Sequence, residues 1–139
     1  MRIVRAFRFE ASHSLPHHDG ACRHLHGHSY RLEIELEGKM RPVDPQDPQS
    51  GFVVDFGRLH QVVERELIQP FLDHRHLNDS IPNLPYPSAE HLALWILTWC
   101  AHHLDGRPEL GDSRISRIRL WETERAWVEV DRSELTHLP

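Results

Sequence analysis

The sequence predicts an α+β fold: a four-stranded antiparallel sheet covered on one face by two helices. Three observations lead there. Residues 28–37 alternate without a break, Tyr30, Leu32, Ile34 and Leu36 against Arg31, Glu33, Glu35 and Glu37, the pattern of a half-buried antiparallel strand. Two central segments carry apolar residues at helical spacing, and two more strand-like segments close the chain. The order strand, strand, helix, helix, strand, strand gathers both helices on one side of the sheet.

The first strand spans residues 2–10, with Ile3, Phe7 and Phe9 in a broken alternation and His13 just beyond its end. The second is the alternating run, and His26 and His28 share the parity of its apolar face, so both imidazoles point toward protein if the extended form continues upstream of residue 28. Arg41 to Pro48 holds three prolines and two aspartates, a loop that no sheet interior accepts. Asp55 is a candidate N-cap for a helix bearing Leu59, Val62, Val63, Leu67 and Ile68, which Pro70 should kink or end. After a stretch punctuated by Pro82, Pro85 and Pro87, Ser88 can cap a second helix with Leu92, Trp95, Ile96 and Trp99 as its buried stripe. Residues 114–122 and 125–131 form the last strands, joined by a hairpin around Thr123 and Glu124. Ile118 and Leu120 lie on one face there, and Val128 and Val130 on another.

At 139 residues with net charge −5 and 27% charged residues, the chain reads as one domain, 1–139, able to bury a core without staples. No run of Lys or Arg suggests a nucleic-acid groove, so no nucleic-acid partner is expected. Two cysteines, Cys22 and Cys100, argue against a disulfide framework and for a reducing cytoplasm. The first residues lack a signal-peptide core, and no apolar run reaches membrane-spanning length.

Histidine is the outlier, with 13 copies, and His13, Cys22, His26 and His28 hold the clearest chemistry. Imidazoles two residues apart on an extended segment face one side, and Gly27 leaves the backbone between them bare. Three neutral nitrogen ligands with a vacant fourth position are the usual form of a catalytic zinc site. His17, His18 and His24 are rival ligands, and parity does not exclude His24. A thiol beside Arg23, His24 and a metal suits a nucleophile or general base. Asp73 and His74 can pass a proton, yet neighbours on a strand point to opposite faces, so surface or capping roles compete unless a turn intervenes. Glu122 has the parity of Ile118 and Leu120, and a buried carboxylate there suits the paired N–H groups of an aminopyrimidinone. A glutamate reaching water at the sheet's edge is the alternative. Glu90 is accounted for by the helix dipole alone.

Taken together, Phe9-Glu10-Ala11-Ser12-His13, Cys22 separated by three residues from His26-Gly27-His28, Gly51 to Phe56, Leu72 to Asp79, Pro87-Ser88-Ala89-Glu90 and Leu120-Trp121-Glu122-Thr123 resemble the family of 6-pyruvoyl- and 6-carboxy-tetrahydropterin synthases. The cysteine spacing resembles the bacterial carboxy branch, which serves queuosine biosynthesis. The resemblance implies Zn2+ on His13, His26 and His28, Cys22 as proton acceptor, and His74 with Asp73 as a relay. It implies that Glu122, also counted in that relay, anchors the pterin ring beside Thr123, with Ser88, Ala89 and Glu90 helping to hold it. Ser88-Ala89 departs from the more usual Thr-containing pair. The implied fold is a tunnelling fold, in which subunits of a homo-oligomer, a trimer or dimer of trimers, close a barrel with active sites between them.

The expected reaction converts 7,8-dihydroneopterin triphosphate to 6-carboxy-5,6,7,8-tetrahydropterin, acetaldehyde and triphosphate. Triphosphate elimination alone, as in the pyruvoyl branch, would use the same residues. A non-pterin zinc hydrolase and a module that merely binds pterin or metal are the readings outside this chemistry.

Overall fold

The computed structural model describes residues 1–84 and 86–137, so Pro85 of the proline-rich stretch lies outside the described residues. Its sheet is built on β1 (Arg2–His13), β2 (His26–Glu37), β4 (Arg114–Thr123) and β5 (Ala126–Asp131), consecutive neighbours and all antiparallel. A two-residue β3 (Arg75–His76) adds a fifth strand, parallel to β1 at Ala11 and Ser12. That addition was not foreseen, because two residues carry no periodicity.

β1 also runs three residues beyond its expected end. Its ladder with β2 continues through the pairs Ala11–His28, Ser12–Gly27 and His13–His26, so His13 sits within the strand, directly across from His26. Gly27 matters here: a Cβ on it would stand 3.3 Å from the Ala11 carbonyl oxygen. The break in β1's alternation is Arg5, whose guanidinium reaches His60 Nδ1 at 3.3 Å while the His60 ring stacks on Phe7.

Alternation then decides which face is dry. Phe7, Phe9, Tyr30, Leu32, Ile34, Leu36, Ile115, Ile118 and Leu120 are buried, and α1 (Phe56–Val63) and α3 (Ala89–His103) pack over them. Val130 pairs with Ile118 and Val128 with Leu120, so all four lie on this face, correcting the expected division between two. The opposite face is ionic: Arg119 pairs with Glu129 and Glu33, and Arg117 with Glu35 and Glu129.

Asp55 caps α1 by accepting from Gly57 N–H at 2.7 Å, and Ser88 Oγ caps α3 by accepting from His91 N–H at 3.3 Å. Pro70 neither ends nor breaks the first helix. The helix widens instead into a π-wound stretch, Glu64–Leu72, closed by Asp73 N–H on the Ile68 carbonyl at 2.8 Å. Pro70 has no N–H to give the ladder, and in an α-wound turn its ring would crowd the carbonyl four residues back; the winding around it is π instead. The short helix α2 (Leu77–Ser80) follows β3. No helix among the described residues is long and apolar enough to cross a membrane.

Candidate metal centre and its surroundings

Where the core face of β1 and β2 ends, side-chain parity passes from Phe9 and Tyr30 to His13, His26 and His28. Their ligand atoms lie within 4.8 Å of one another. His13 is fully buried, and its Nδ1–H donates to the Pro87 carbonyl at 2.8 Å. His26 Nδ1–H donates to the His24 carbonyl at 2.7 Å. These bonds fix both tautomers, leaving a lone pair on each Nε2. The two Nε2 atoms face each other at 3.1 Å. Two lone pairs at that separation repel unless a cation lies between them. His28 Nε2 is buried with no hydrogen-bond partner, a cost of about 1–3 kcal/mol that a ligand bond removes. The donor set therefore fits a metal ion, and three imidazoles suit a transition metal rather than calcium or magnesium.

Burial pushes the His13 imidazole below its ordinary 6.5, outweighing the Pro87 bond and the Glu122 charge, and burial lowers His28 in the same way. The unfolded chain therefore binds more protons than the folded chain below about 6.5, and folding stability falls as pH drops through that region. Metal-free protein is expected to show a falling urea midpoint from about pH 7 to about pH 5, with a flatter profile in His13→Asn. An unchanged wild-type midpoint would contradict this.

Glu122 joins the cluster as its parity predicts. Its Oε1 is 3.5 Å from His13 Nε2 and 3.6 Å from His28 Nε2. Tyr30 lies beneath, its hydroxyl 3.5 Å from His13 Nδ1 and its ring edge-on to His28. Burial, with the Glu122 charge adding, holds its phenol well above the ordinary range. Sequence reasoning missed Tyr30 as a site residue, although it continues the parity of His26 and His28.

Asp73 and His74 are brought together by the turn that adjacent residues require. His74 adopts φ 55°, a left-handed conformation costing on the order of 1–3 kcal/mol outside glycine. Its N–H donates to the Glu10 carbonyl at 2.6 Å, and Glu10 N–H donates to Asp73 Oδ1 at 2.9 Å. The turn leaves Asp73 Oδ2 2.9 Å from His74 Nδ1. The Glu10 bond first, then His74, holds the Asp73 carboxyl below its usual range. His74 and His28 line one open groove of about 470 Å³ with Glu10, Ser12, Ser29 and His76.

Cys22 is half-buried in a single 3₁₀ turn, Ala21–Arg23, on the loop between the ligand strands, and its thiol is free. Its sulfur is not one of the clustered ligand atoms. Leu15 N–H donates to the Cys22 carbonyl at 2.9 Å, and Asn78 clamps the loop's root with two 2.9 Å bonds to Ser14. Ser88 is engaged as a cap, Ala89 and Glu90 form the first turn of α3, and Thr123 Oγ1 accepts from Arg125 N–H at 3.2 Å in the hairpin. Of the rivals, His24 is exposed and contributes only its carbonyl, His17 stacks on Tyr86, and His18 Nδ1 accepts from Gly20 N–H at 2.8 Å.

The family model for 6-pyruvoyl tetrahydropterin synthase matches residues 2–133. A Synechocystis 6-carboxy-5,6,7,8-tetrahydropterin synthase is 40% identical over 68% of this chain and 70% of its own length. A Pyrococcus furiosus dihydroneopterin monophosphate aldolase is 32% identical over 94% of this chain and 96% of its own length. The solved Caenorhabditis elegans 6-pyruvoyl tetrahydropterin synthase superposes with a TM-score of 0.70 at 22% identity, covering 94% of both chains, which attests the shared fold. With the family match running through both ligand strands and on to β5, the chain belongs to the 6-pyruvoyl tetrahydropterin synthase family.

Proposed function

We propose that this family member is a zinc-dependent lyase converting 7,8-dihydroneopterin triphosphate to 6-carboxy-5,6,7,8-tetrahydropterin, with release of acetaldehyde and triphosphate. The observation that carries this reading is the convergence of His13, His26 and His28, two of them with tautomers set by backbone carbonyls. Zinc held there would act as a Lewis acid on a side-chain hydroxyl of the substrate.

The chain's own groups divide the remaining work. Glu122 receives the paired N–H groups of the pterin ring, flanked by Thr123 and by Ser88, Ala89 and Glu90 at the start of α3. Cys22, on the loop joining the ligand strands, takes the proton from the side-chain carbon as the C–H bond breaks. His74, oriented by Asp73 on the rim of the groove it shares with His28, returns a proton elsewhere on that side chain. Copies of the chain joined through the sheet's open edges, as a trimer or dimer of trimers closing a barrel, complete the reading. A cytoplasmic enzyme of queuosine biosynthesis is consistent with it.

Three residues between Cys22 and His26 favour the carboxy branch, and so does the similarity to the Synechocystis 6-carboxy-5,6,7,8-tetrahydropterin synthase. Product analysis decides. Zinc-loaded protein given the triphosphate substrate is expected to yield acetaldehyde and triphosphate in equal amounts. Triphosphate without acetaldehyde would identify the pyruvoyl reaction instead. The near full-length match to the Pyrococcus furiosus aldolase supports a second reading. In that case retro-aldol cleavage of the monophosphate would leave the phosphate on a two-carbon aldehyde, separable in the same assay.

A further inference from the structure

The loop that carries Cys22 is gripped at its root and again nearer its middle. At the root, Asn78 takes both backbone groups of Ser14 at 2.9 Å. Further along, the exposed His17 ring lies flat on Tyr86, with centroids 5.5 Å apart and planes 17° from parallel. His17 belongs to the turn that reaches the thiol. His18 N–H donates to the Leu15 carbonyl at 2.9 Å, and Leu15 N–H donates to the Cys22 carbonyl at 2.9 Å. A displacement of the His17 ring is therefore passed to the Cys22 backbone through two hydrogen bonds.

The other half of the stack is firmly placed. The Tyr86 carbonyl accepts from Ser88 N–H at 2.9 Å, the Tyr86 ring meets His91 edge-on at 6.3 Å, and His91 Nδ1 lies 2.9 Å from Ser88 Oγ. Between Tyr86 and Ser88, Pro87 is buried and its carbonyl accepts from His13 Nδ1–H. Residues 86–88 thus hold the thiol's loop through Tyr86, the buried His13 imidazole through Pro87 and the start of α3 through Ser88. One short segment fixes the loop and the imidazole cluster in relation to each other. Proton transfer needs heavy atoms brought to about 2.6–3.2 Å, a tolerance that a swinging loop does not meet.

We propose that Tyr86 is a positioning residue whose ring, stacked on His17, holds the Cys22 loop in a fixed relation to His13. Its effect on turnover rests on the reading of Cys22 as proton acceptor, whereas its hold on the loop stands apart from that reading. The ring rather than the hydroxyl does this, so phenylalanine can replace it.

The test uses the zinc-loaded full chain and compares wild type with Tyr86→Ala, His17→Ala, the double variant and Tyr86→Phe. Alkylation by iodoacetamide at fixed pH reads the exposure of Cys22, since Cys100 is fully buried. Each alanine variant is expected to raise the alkylation rate by about 3–10-fold, the worth of an aromatic pair. The double variant should exceed neither single one, as partners in one contact require. Tyr86→Phe should match wild type, and zinc should stay at one equivalent throughout. With dihydroneopterin triphosphate, the alanine variants should lose a similar factor in kcat at unchanged KM, and Tyr86→Phe should restore it. Unchanged alkylation in Tyr86→Ala, or single effects that simply add, would overturn the proposal. Loss of zinc in Tyr86→Ala would overturn it too, assigning the residue to His13 through Pro87. Faster alkylation with unaltered turnover would overturn the positioning role together with the reading of Cys22 as proton acceptor. Absence of lyase turnover in wild type would sink the proposed reaction, and alkylation alone would then decide whether the stack holds the loop.

Discussion

Replacing His28 with alanine is expected to abolish stoichiometric zinc binding and all measurable turnover, the largest single effect at this site. Loss of an outer partner of a metal ligand costs about 10–100-fold in affinity, and loss of one of three ligands must cost more. The same change should spare the fold. His28 Nε2 is buried without a partner in the protein, so deleting the ring removes a desolvation cost of about 1–3 kcal/mol from the metal-free state. That gain offsets the lost edge contacts with Tyr30 and His13. Metal content by elemental analysis and the urea midpoint of metal-free protein check the two halves separately. Full zinc content in the variant would remove His28 from the ligand set, and collapse of the fold would assign it a structural role instead.

Replacing Cys22 with alanine should do the opposite, leaving zinc at one equivalent and cutting turnover by about 10²–10⁴-fold, the usual worth of a positioned proton acceptor. The thiol is on the loop between the ligand strands and outside the cluster of ligand atoms, so metal content is the internal control. Near-normal turnover would shift support to hydrolysis by a metal-activated water. Loss of zinc together with activity would place the sulfur in the coordination sphere.

The parts of this site that could be read from the chain alone are those that obey strand parity. His26, His28 and Glu122 each continue an apolar row by steps of two, and the structure turns all three to the same side as those rows. His13 was legible as a ligand only through its place in the motif, because its register against His26 is a pairing between strands that local pattern does not encode. The Pro87 carbonyl carries no side-chain signal, so the bond that fixes the His13 tautomer is invisible before folding. Asp73 and His74 looked mismatched as strand neighbours. The left-handed turn that unites them depends on Glu10, more than sixty positions away. The helix through Pro70 shows how tertiary packing overrides a local rule: Leu67, Ile68 and Leu72 are fully or almost fully buried on either side of the proline, and that burial sustains a widened turn where propensity alone predicts a stop.

The salt-bridged side of the sheet also limits how copies of this chain can meet. Stacking two such surfaces flat against each other would strip water from several guanidinium and carboxylate groups at once, and desolvation of that kind commonly exceeds the attraction regained. The sheet's lateral limits are instead β5 on one side and the two-residue β3 beside β1 on the other. A flat stack of two such faces is therefore the contact between copies that this chemistry disfavours most.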